Sequence, residues 1–183
     1  MGRWQPGARE RLADAALDLY LERGFDEATV ADIAERAGVT ERTFFRHFAD
    51  KREVLFQGSA RLEELVVGTI ADASADATPF DAAIAGVRAT TAYLTDQDFS
   101  ARRAAAIEAN PSLMERELLK LAAMRTAMAG ALVARGADDL TAAVAADAAG
   151  SVFHQGFQRW IRGDAANFAE AIEQALSAVR RLG

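Results

Sequence analysis

Apolar residues recur every three or four positions along most of the chain, which is the spacing of one face of an α-helix. Near the N-terminus this stripe consists of Leu12, Ala16, Leu19 and Tyr20. It predicts a first helix from about Gly7 to Arg23, followed by Gly24, a residue type that often ends helices. The N-terminal region is therefore expected to fold as a helix with one buried face.

Two short helices are predicted next, because the residues before them have the chemistry of helix caps. Thr29 and Asp32 have the spacing of a capping box, with Asp in place of the usual Glu or Gln, and Gly38 ends the helix that they begin. Thr40 is predicted to cap a third helix over 41–48, with two of its phenylalanines turned to the core. Two short helices joined by such a turn form a helix-turn-helix.

The rest of the chain is also predicted to be helical. Asp50 is expected to cap a long fourth helix that extends to about Ile70, and the small polar residues 72–78 to form a loop. Thr78 followed by Pro79 is a strong helix start. Further helices are expected at about 79–94, 98–109, 112–135, 140–162 and from Phe168 to the C-terminus. The predicted fold class is all-α, with about nine helices and no strand.

Composition mainly excludes certain classes of protein and of binding site. The chain has 183 residues, of which 51% are hydrophobic, so it can bury a core, and only three are prolines. The absence of cysteine excludes a disulfide framework and a thiolate zinc site, and the two histidines fall in different predicted domains, so neither a metal nor another cofactor is expected. No apolar run has the length of a membrane span, so a soluble, cytoplasmic protein without a membrane partner is expected.

Charge is distributed unevenly along the chain. The net charge of −6 argues against non-specific coating of nucleic acid. Residues 42–52, however, contain one acid, Asp50, and four basic side chains: Arg42, Arg46, Lys51 and Arg52. A helix with this composition, projecting from a helix-turn-helix, suits the DNA major groove, which admits one helix. Taken alone, the same pattern is compatible with a compact three-helix hairpin that carries a solvated basic face.

The N-terminal residues, beyond forming a helix-turn-helix, resemble a known family signature. The runs GFDEATVADIA (24–34), AGVT (37–40) and FFRHF (44–48), followed by Asp50 and Lys51, are similar to the DNA-binding region of the tetracycline-repressor (TetR) family. The similarity extends over about residues 9–57 and is far more specific than a bare helix-turn-helix.

This resemblance implies a domain organisation and a function. It implies a helix-turn-helix DNA-binding domain over residues 1–50 and a helical ligand-binding and dimerisation domain over 51–183. The protein is then expected to be a transcriptional regulator, in most such cases a repressor. It is expected to bind double-stranded palindromic operator DNA as a homodimer, and a small-molecule effector is expected to release it.

The resemblance also assigns DNA contacts to individual residues. Thr29, His47 and Lys51 are expected to hold phosphates. The residues expected to face bases or adjacent phosphates are Thr40, Glu41, Arg42, Thr43 and Arg46. Phe45 departs from the family, which most often has a tyrosine there whose hydroxyl reaches the DNA backbone. Phenylalanine cannot make that hydrogen bond, and its loss costs on the order of 1 kcal/mol.

In the C-terminal domain the sequence offers candidates for two surfaces. The apolar inner faces of the predicted fourth to eighth helices favour a hydrophobic effector, and the candidate lining residues are Leu65, Thr69, Val87, Thr91, Arg103, Ile107, Leu121 and Phe153. The resemblance implies a dimer interface on the last two helices. The candidates there are Phe157, Trp160, Phe168, Ile172, Leu176 and Val179.

Other hypotheses stay open at the level of sequence. The aromatic run around His154 is more typical of core or dimer contacts than of a cofactor site, and Arg102 and Arg103 are more typical of solvated charges than of effector contacts. A helical module that binds a small molecule without regulating DNA is the second hypothesis, against which the basic residues at 42–52 argue. A helical enzyme is the third. The chain has no phosphate-cradling glycine motif, metalloprotease motif or nucleophile elbow, so an enzyme is not expected.

Overall fold

A computed structural model describes residues 7–182 of the chain. Within this range the structure contains nine α-helices and no strand, which confirms the predicted all-α fold class. The helices are α1 (Ala8–Arg23), α2 (Val30–Arg36), α3 (Glu41–His47), α4 (Ser59–Ala71), α5 (Pro79–Ala89), α6 (Gln97–Glu108), α7 (Pro111–Ala134), α8 (Asp139–Ile161) and α9 (Phe168–Arg180). None of the described helices is long and apolar enough to cross a membrane.

The helices are distributed over two compact units. The N-terminal unit consists of residues up to Gln57 together with Arg102–Glu117, and the C-terminal unit consists of Gly58–Ala101 together with the residues from Leu118 onward. The N-terminal unit thus extends beyond residue 50, the predicted end of the DNA-binding domain. Helices α6 and α7 each contribute residues to both units.

Most helix starts are at residues whose side chains cap the first turn. Thr29, Thr40, Thr78, Asp138 and Asn167 each accept a hydrogen bond from a backbone N–H three residues later. Pro79 occupies the first helical position of α5, as predicted from the Thr78–Pro79 pair. Local chemistry therefore determines where these helices begin.

The prediction of one long fourth helix beginning after Asp50 is wrong. The Asp50 carboxylate accepts hydrogen bonds from the backbone N–H groups of Arg52 (2.8 Å) and Glu53 (3.2 Å), but only a short 3-10 helix, Glu53–Phe56, follows. Its last three residues are apolar and all buried. The α-helix begins only at Ser59.

The core of the C-terminal unit is formed by α4, α5, α7, α8 and α9, and the most extensive contact in it is between α8 and α9. Helix α9 buries Phe168, Ile172 and Leu176, each at most 3% exposed. Gly156 on α8 permits the close approach, because a Cβ at this position would lie 2.7 Å from Ile172 Cδ1. Full burial of an aliphatic or aromatic side chain stabilises a fold by about 1.5–3 kcal/mol. This contact therefore accounts for much of the packing of the last two helices.

Candidate nucleic-acid interface

Helix α2 is held at its start by a reciprocal capping box. The backbone N–H of Asp32 donates to Thr29 Oγ1 (3.1 Å), and the backbone N–H and hydroxyl of Thr29 both donate to Asp32 Oδ2 (3.0 and 2.6 Å). The Thr29 hydroxyl, and then its backbone N–H, lower the pKa of Asp32. The predicted capping box is confirmed, with aspartate in the position usually held by a longer acid.

The turn between α2 and α3 depends on Gly38. Its φ of +66° lies in the left-handed region that favours glycine. The backbone N–H of Val39 donates to the Ala34 carbonyl (2.9 Å), which closes the end of α2. Arg11 on α1 donates from Nε to the Ala37 carbonyl (3.0 Å) and so ties the first helix to this turn. These bonds set the direction in which α3 leaves the turn.

Helix α3 is anchored to the N-terminal unit by its phenylalanines. Phe44 is fully buried and Phe48 is 4% exposed, with their ring centroids 5.6 Å apart. The Arg9 guanidinium lies over the Phe48 ring at 5.2 Å. Because these two aromatic residues face inward, the opposite side of α3 is presented to solvent.

The exposed side of α3 consists of two rows of side chains four residues apart. Glu41 and Phe45 form one row, and Arg42 and Arg46 form the other, and all four are exposed. Neither Arg42 nor Arg46 has a hydrogen-bond or ion-pair partner within residues 7–182. Phe45 is 57% exposed, and its ring packs edge-to-face on Phe44 at 5.4 Å. Two guanidinium groups are therefore available for an external anion or base.

The other predicted DNA contacts, Thr40, Thr43 and His47, lie at the edges of the exposed side of α3. Thr40 is exposed, Thr43 is half-buried, and their hydroxyl oxygens are 3.1 Å apart. His47 is half-buried, and its Nε2 is buried without a hydrogen-bond partner in the part of the chain that the structure describes. The structure thus brings the seven predicted residues between 40 and 47 together on one short helix and its cap.

Lys51 lies outside α3, and its ammonium group is hydrogen-bonded to backbone carbonyls of the N-terminal unit. Its ammonium group donates to the carbonyls of Phe25 (2.8 Å), Asp26 (3.1 Å) and Ala28 (3.0 Å), and the Tyr20 hydroxyl donates to the Lys51 carbonyl (2.5 Å). An ammonium group has three protons, and all are used here. The hydroxyl of Thr29 is likewise used in the capping box. Phosphate contacts by Lys51 and Thr29 therefore stay predictions.

Comparison with known proteins gives the N-terminal unit a family. Residues 12–57 match the family model described as "Bacterial regulatory proteins, tetR family". The chain belongs to the TetR family. The matched stretch contains the capping box, the turn at Gly38 and all of α3.

Individual relatives of this TetR-family chain extend the similarity. The regulator TcmR of Streptomyces glaucescens is 30% identical over 139 residues, which cover 72% of this chain and 62% of TcmR. The regulator SrpR of Pseudomonas putida is 45% identical over 47 residues, 26% of this chain and 22% of SrpR. The chain therefore spans less than two thirds of the length of either relative.

A solved structure supports the fold over nearly the whole chain. The SmeT–triclosan complex superposes with a TM-score of 0.65 at 18% identity and covers 93% of this chain and 90% of SmeT. At this level of identity the similarity concerns the fold alone.

The N-terminal unit of this TetR-family chain includes a segment whose role sequence reasoning missed. Arg102 on α6 pairs with Asp18 on α1, and Arg116 on α7 pairs with Glu53 at 2.6 Å. Arg103, a candidate effector contact, is 18% exposed and pairs with Glu117 at 2.8 Å. From the sequence alone, such charged residues cannot be distinguished from those of a solvated surface. Their partners lie 14 to 84 positions away along the chain.

The predicted effector-lining residues are divided between the two units. Arg103 and Ile107 belong to the N-terminal unit. The other six belong to the C-terminal unit and are Leu65, Thr69, Val87, Thr91, Leu121 and Phe153. The Thr69 hydroxyl donates to the Leu65 carbonyl (2.7 Å) and that of Thr91 to the Arg88 carbonyl (2.8 Å), so both hydroxyls are hydrogen-bonded to nearby backbone. Contact of these residues with an effector stays a prediction.

Most of the predicted dimer contacts are part of the core of one chain. The residues that are at most 3% exposed are Trp160, Phe168, Ile172 and Leu176, whereas Phe157 and Val179 are half-buried. The C-terminal unit instead exposes Leu140 (74%) and Val144 (59%) on α8. These two residues and Val179 border a predominantly apolar groove of about 500 Å³, formed by the start of α5, the first half of α8 and the end of α9.

Within residues 7–182, no group of three or more His, Asp or Glu side chains is arranged to hold a metal ion.

Proposed function

We propose that this TetR-family chain is a DNA-binding transcriptional regulator, a repressor that binds a palindromic operator as a homodimer and is released by a small hydrophobic molecule. The observation that carries the proposal is the exposed side of α3, where Arg42 and Arg46 are four residues apart and have no partner within the described chain. An arginine is the side chain most often used to bind guanine O6 and N7 together in the major groove.

The electrostatics of the chain support a local rather than a diffuse contact with DNA. The net charge is −6, so the protein as a whole repels phosphate. Among the four basic residues of 42–52, Lys51 and Arg52 have internal partners, the latter through its ion pair with Asp50 at 2.9 Å. Base-reading arginines on one helix are therefore better supported than a broad phosphate-binding surface.

A homodimer is proposed to form through the exposed apolar part of α8. Leu140 and Val144 are large apolar side chains that the single chain leaves in water next to an apolar groove. A specific interface needs about 800 Å² from each partner, and an apolar core is typical of obligate dimers. Two subunits would place their α3 helices on half-sites about 34–36 Å apart, which is one turn of DNA.

The dimer surface is tested by introducing a charge. Leu140→Glu is expected to shift the protein from dimer to monomer in sedimentation velocity at micromolar concentration. Leu21→Glu is the matched control, because Leu21 is also exposed (42%) but lies on α1. A dimer that survives Leu140→Glu and Val144→Glu would place the interface elsewhere.

The effector is proposed to be apolar. Six of the candidate residues lie in the C-terminal unit, and Phe153 there stacks on Phe157 with ring centroids 6.1 Å apart. Another structure with this fold, FadR of Bacillus subtilis, is in complex with stearoyl-CoA, and SmeT is in complex with triclosan. An effector releases DNA only if it binds one state more tightly, and strong switching takes about 5.5 kcal/mol of preference.

The DNA-binding proposal is tested by selecting genomic fragments with the purified protein at one stated, near-physiological salt concentration. Recovery of a single palindromic motif is expected. Arg42→Ala and Arg46→Ala should each lower operator affinity by about 1–3 kcal/mol while the fold stays intact. Arg162→Ala, on the C-terminal unit, is the matched control. Weak, salt-dependent and sequence-blind binding would instead favour a small-molecule-binding module that does not regulate DNA.

A further inference from the structure

Phe45 occupies an unusual position for a large apolar side chain. It is 57% exposed and lies on the same side of α3 as Arg42 and Arg46. Its ring is held in place, because it packs edge-to-face on the fully buried Phe44 at 5.4 Å and an interplanar angle of 82°. The α3 side that is proposed to enter the major groove thus presents one fixed, apolar ring among charged groups.

The chemistry of this ring restricts what it can recognise. A phenyl group has no hydrogen-bond donor or acceptor, so it can neither bind a phosphate through a hydrogen bond nor distinguish the donor and acceptor patterns of the bases. The one apolar group that base pairs present in the major groove is the C5-methyl group of thymine. A ring that is exposed in the free protein gains from burying that methyl group on binding.

We propose that Phe45 is a specificity residue that recognises the C5-methyl group of a thymine in each operator half-site. The proposal rests on the proposed function, since it requires α3 to lie in the major groove. It complements the other exposed residues, because Arg42 and Arg46 suit guanine and Glu41 suits cytosine. Phe45 then gives the exposed side of α3 a side chain that recognises thymine, which the charged residues do not recognise.

The test uses the selected operator with single thymines replaced by deoxyuridine, symmetrically in both half-sites. Deoxyuridine keeps the base pair and removes only the methyl group. The unmodified protein is expected to lose about threefold to fivefold in affinity per half-site at one thymine position and to be insensitive at the others. Phe45→Ala is expected to bind the thymine operator more weakly and to bind the thymine and deoxyuridine forms equally.

Two further variants separate methyl recognition from other effects. Phe45→Tyr keeps the ring and adds a hydroxyl, so it should retain the sensitivity to deoxyuridine while it strengthens binding to all sequences through the DNA backbone. Phe45→Leu should keep part of the sensitivity. Because Phe45 is exposed, each variant is expected to unfold at the temperature of the unmodified protein, which a thermal melt checks.

The outcomes distinguish this inference from the function on which it rests. Selective operator binding that every deoxyuridine substitution leaves unchanged overturns the inference alone. The same holds if Phe45→Ala keeps the sensitivity of the unmodified protein. If no sequence is bound selectively, the proposed function fails and the role of Phe45 fails with it.

Discussion

The guanidinium group of Arg103 and the carboxylate of Glu117 form a bidentate ion pair, with N–O distances of 2.8 and 3.3 Å. The same guanidinium donates from Nε to the Leu55 carbonyl (2.7 Å) and lies over the Phe56 ring at 5.0 Å. One side chain on α6 therefore binds the start of α7 and the short 3-10 helix at once. It holds 102–117 within the N-terminal unit through contacts that depend on the planar shape of arginine.

Replacing Arg103 by lysine is expected to destabilise the protein although the charge is kept. Lysine cannot make the paired bonds to Glu117 and the bond to Leu55 from one planar group, so the free energy of unfolding should fall by about 1–2 kcal/mol. Urea unfolding measures this change. Arg42→Lys is the matched control and should stay within about 0.5 kcal/mol, because Arg42 is exposed and has no partner within the described residues. Equal stability of the two variants would show that the geometry at Arg103 contributes nothing.

Lys51→Met is expected to lower stability, because the ammonium group holds the backbone between α1 and α2. The variant loses hydrogen bonds to the carbonyls of Phe25, Asp26 and Ala28, of which two are part-buried. A bond to a charged group contributes about 1.5–3 kcal/mol, and a loss in this range is expected in thermal unfolding. Arg52→Met, which removes an exposed pair with Asp50, should change stability much less.

The Lys51→Met variant also decides whether Lys51 binds phosphate. A lysine that neutralises one phosphate contributes about one to the slope of log affinity against log salt concentration. Since the Lys51 protons are used internally, the slope for refolded Lys51→Met is expected to equal that of the unmodified protein. A slope reduced by about one would establish the phosphate contact that the family resemblance implies.

Local chemistry explains which parts of the structure were predictable from sequence. The starts at Thr29, Thr40 and Pro79 were predicted because caps and N-terminal prolines act within one turn of helix. The break before Ser59 was not predicted, because apolar residues continue through it along the sequence although the backbone there is a 3-10 helix. Apolar periodicity alone does not identify the surface on which a helix packs.

For the candidate sites, too, a sequence pattern does not identify the surface that a residue contacts. Ile172 and Leu176 follow a regular stripe on α9, and such a stripe is identical for a core and for a dimer interface. In the sequence, nothing distinguishes Leu140 and Val144 from the other apolar residues of α8. Only their exposure in the folded chain makes them interface candidates. Lys51 looks like one of several basic residues until its three carbonyl partners are located.

Gly38→Ala is expected to destabilise the turn of the helix-turn-helix by about 1–2 kcal/mol, because alanine disfavours the left-handed backbone. The φ of Gly38 is +66°, and a Cβ there meets no atom within 4 Å, so the cost comes from the backbone and not from a clash. Gly130→Ala on α7 is the matched control. A Cβ there also meets nothing within 4 Å, but the backbone is helical, so stability should rise by about 0.5–1 kcal/mol. Circular dichroism melts compare the two, and changes of the same sign would contradict the backbone explanation.

The capping box of α2 makes the stability of the N-terminal unit depend on pH in a defined direction. The Thr29 hydroxyl and backbone N–H stabilise the ionised form of Asp32 and lower its pKa below the ordinary value of 3.8. A carboxyl group whose pKa is lower in the folded state stabilises that state fully above its unfolded pKa, and this contribution disappears as the pH falls through the folded pKa. The difference in melting temperature between the unmodified protein and Asp32→Asn should therefore be constant above about pH 5 and shrink below pH 4. Thr29→Val removes the hydroxyl, the larger cause of the shift, so in that background the pH-dependent part of the difference should become smaller. A difference that stays the same from pH 6 to pH 3 would mean that the charge of Asp32 contributes nothing to the cap.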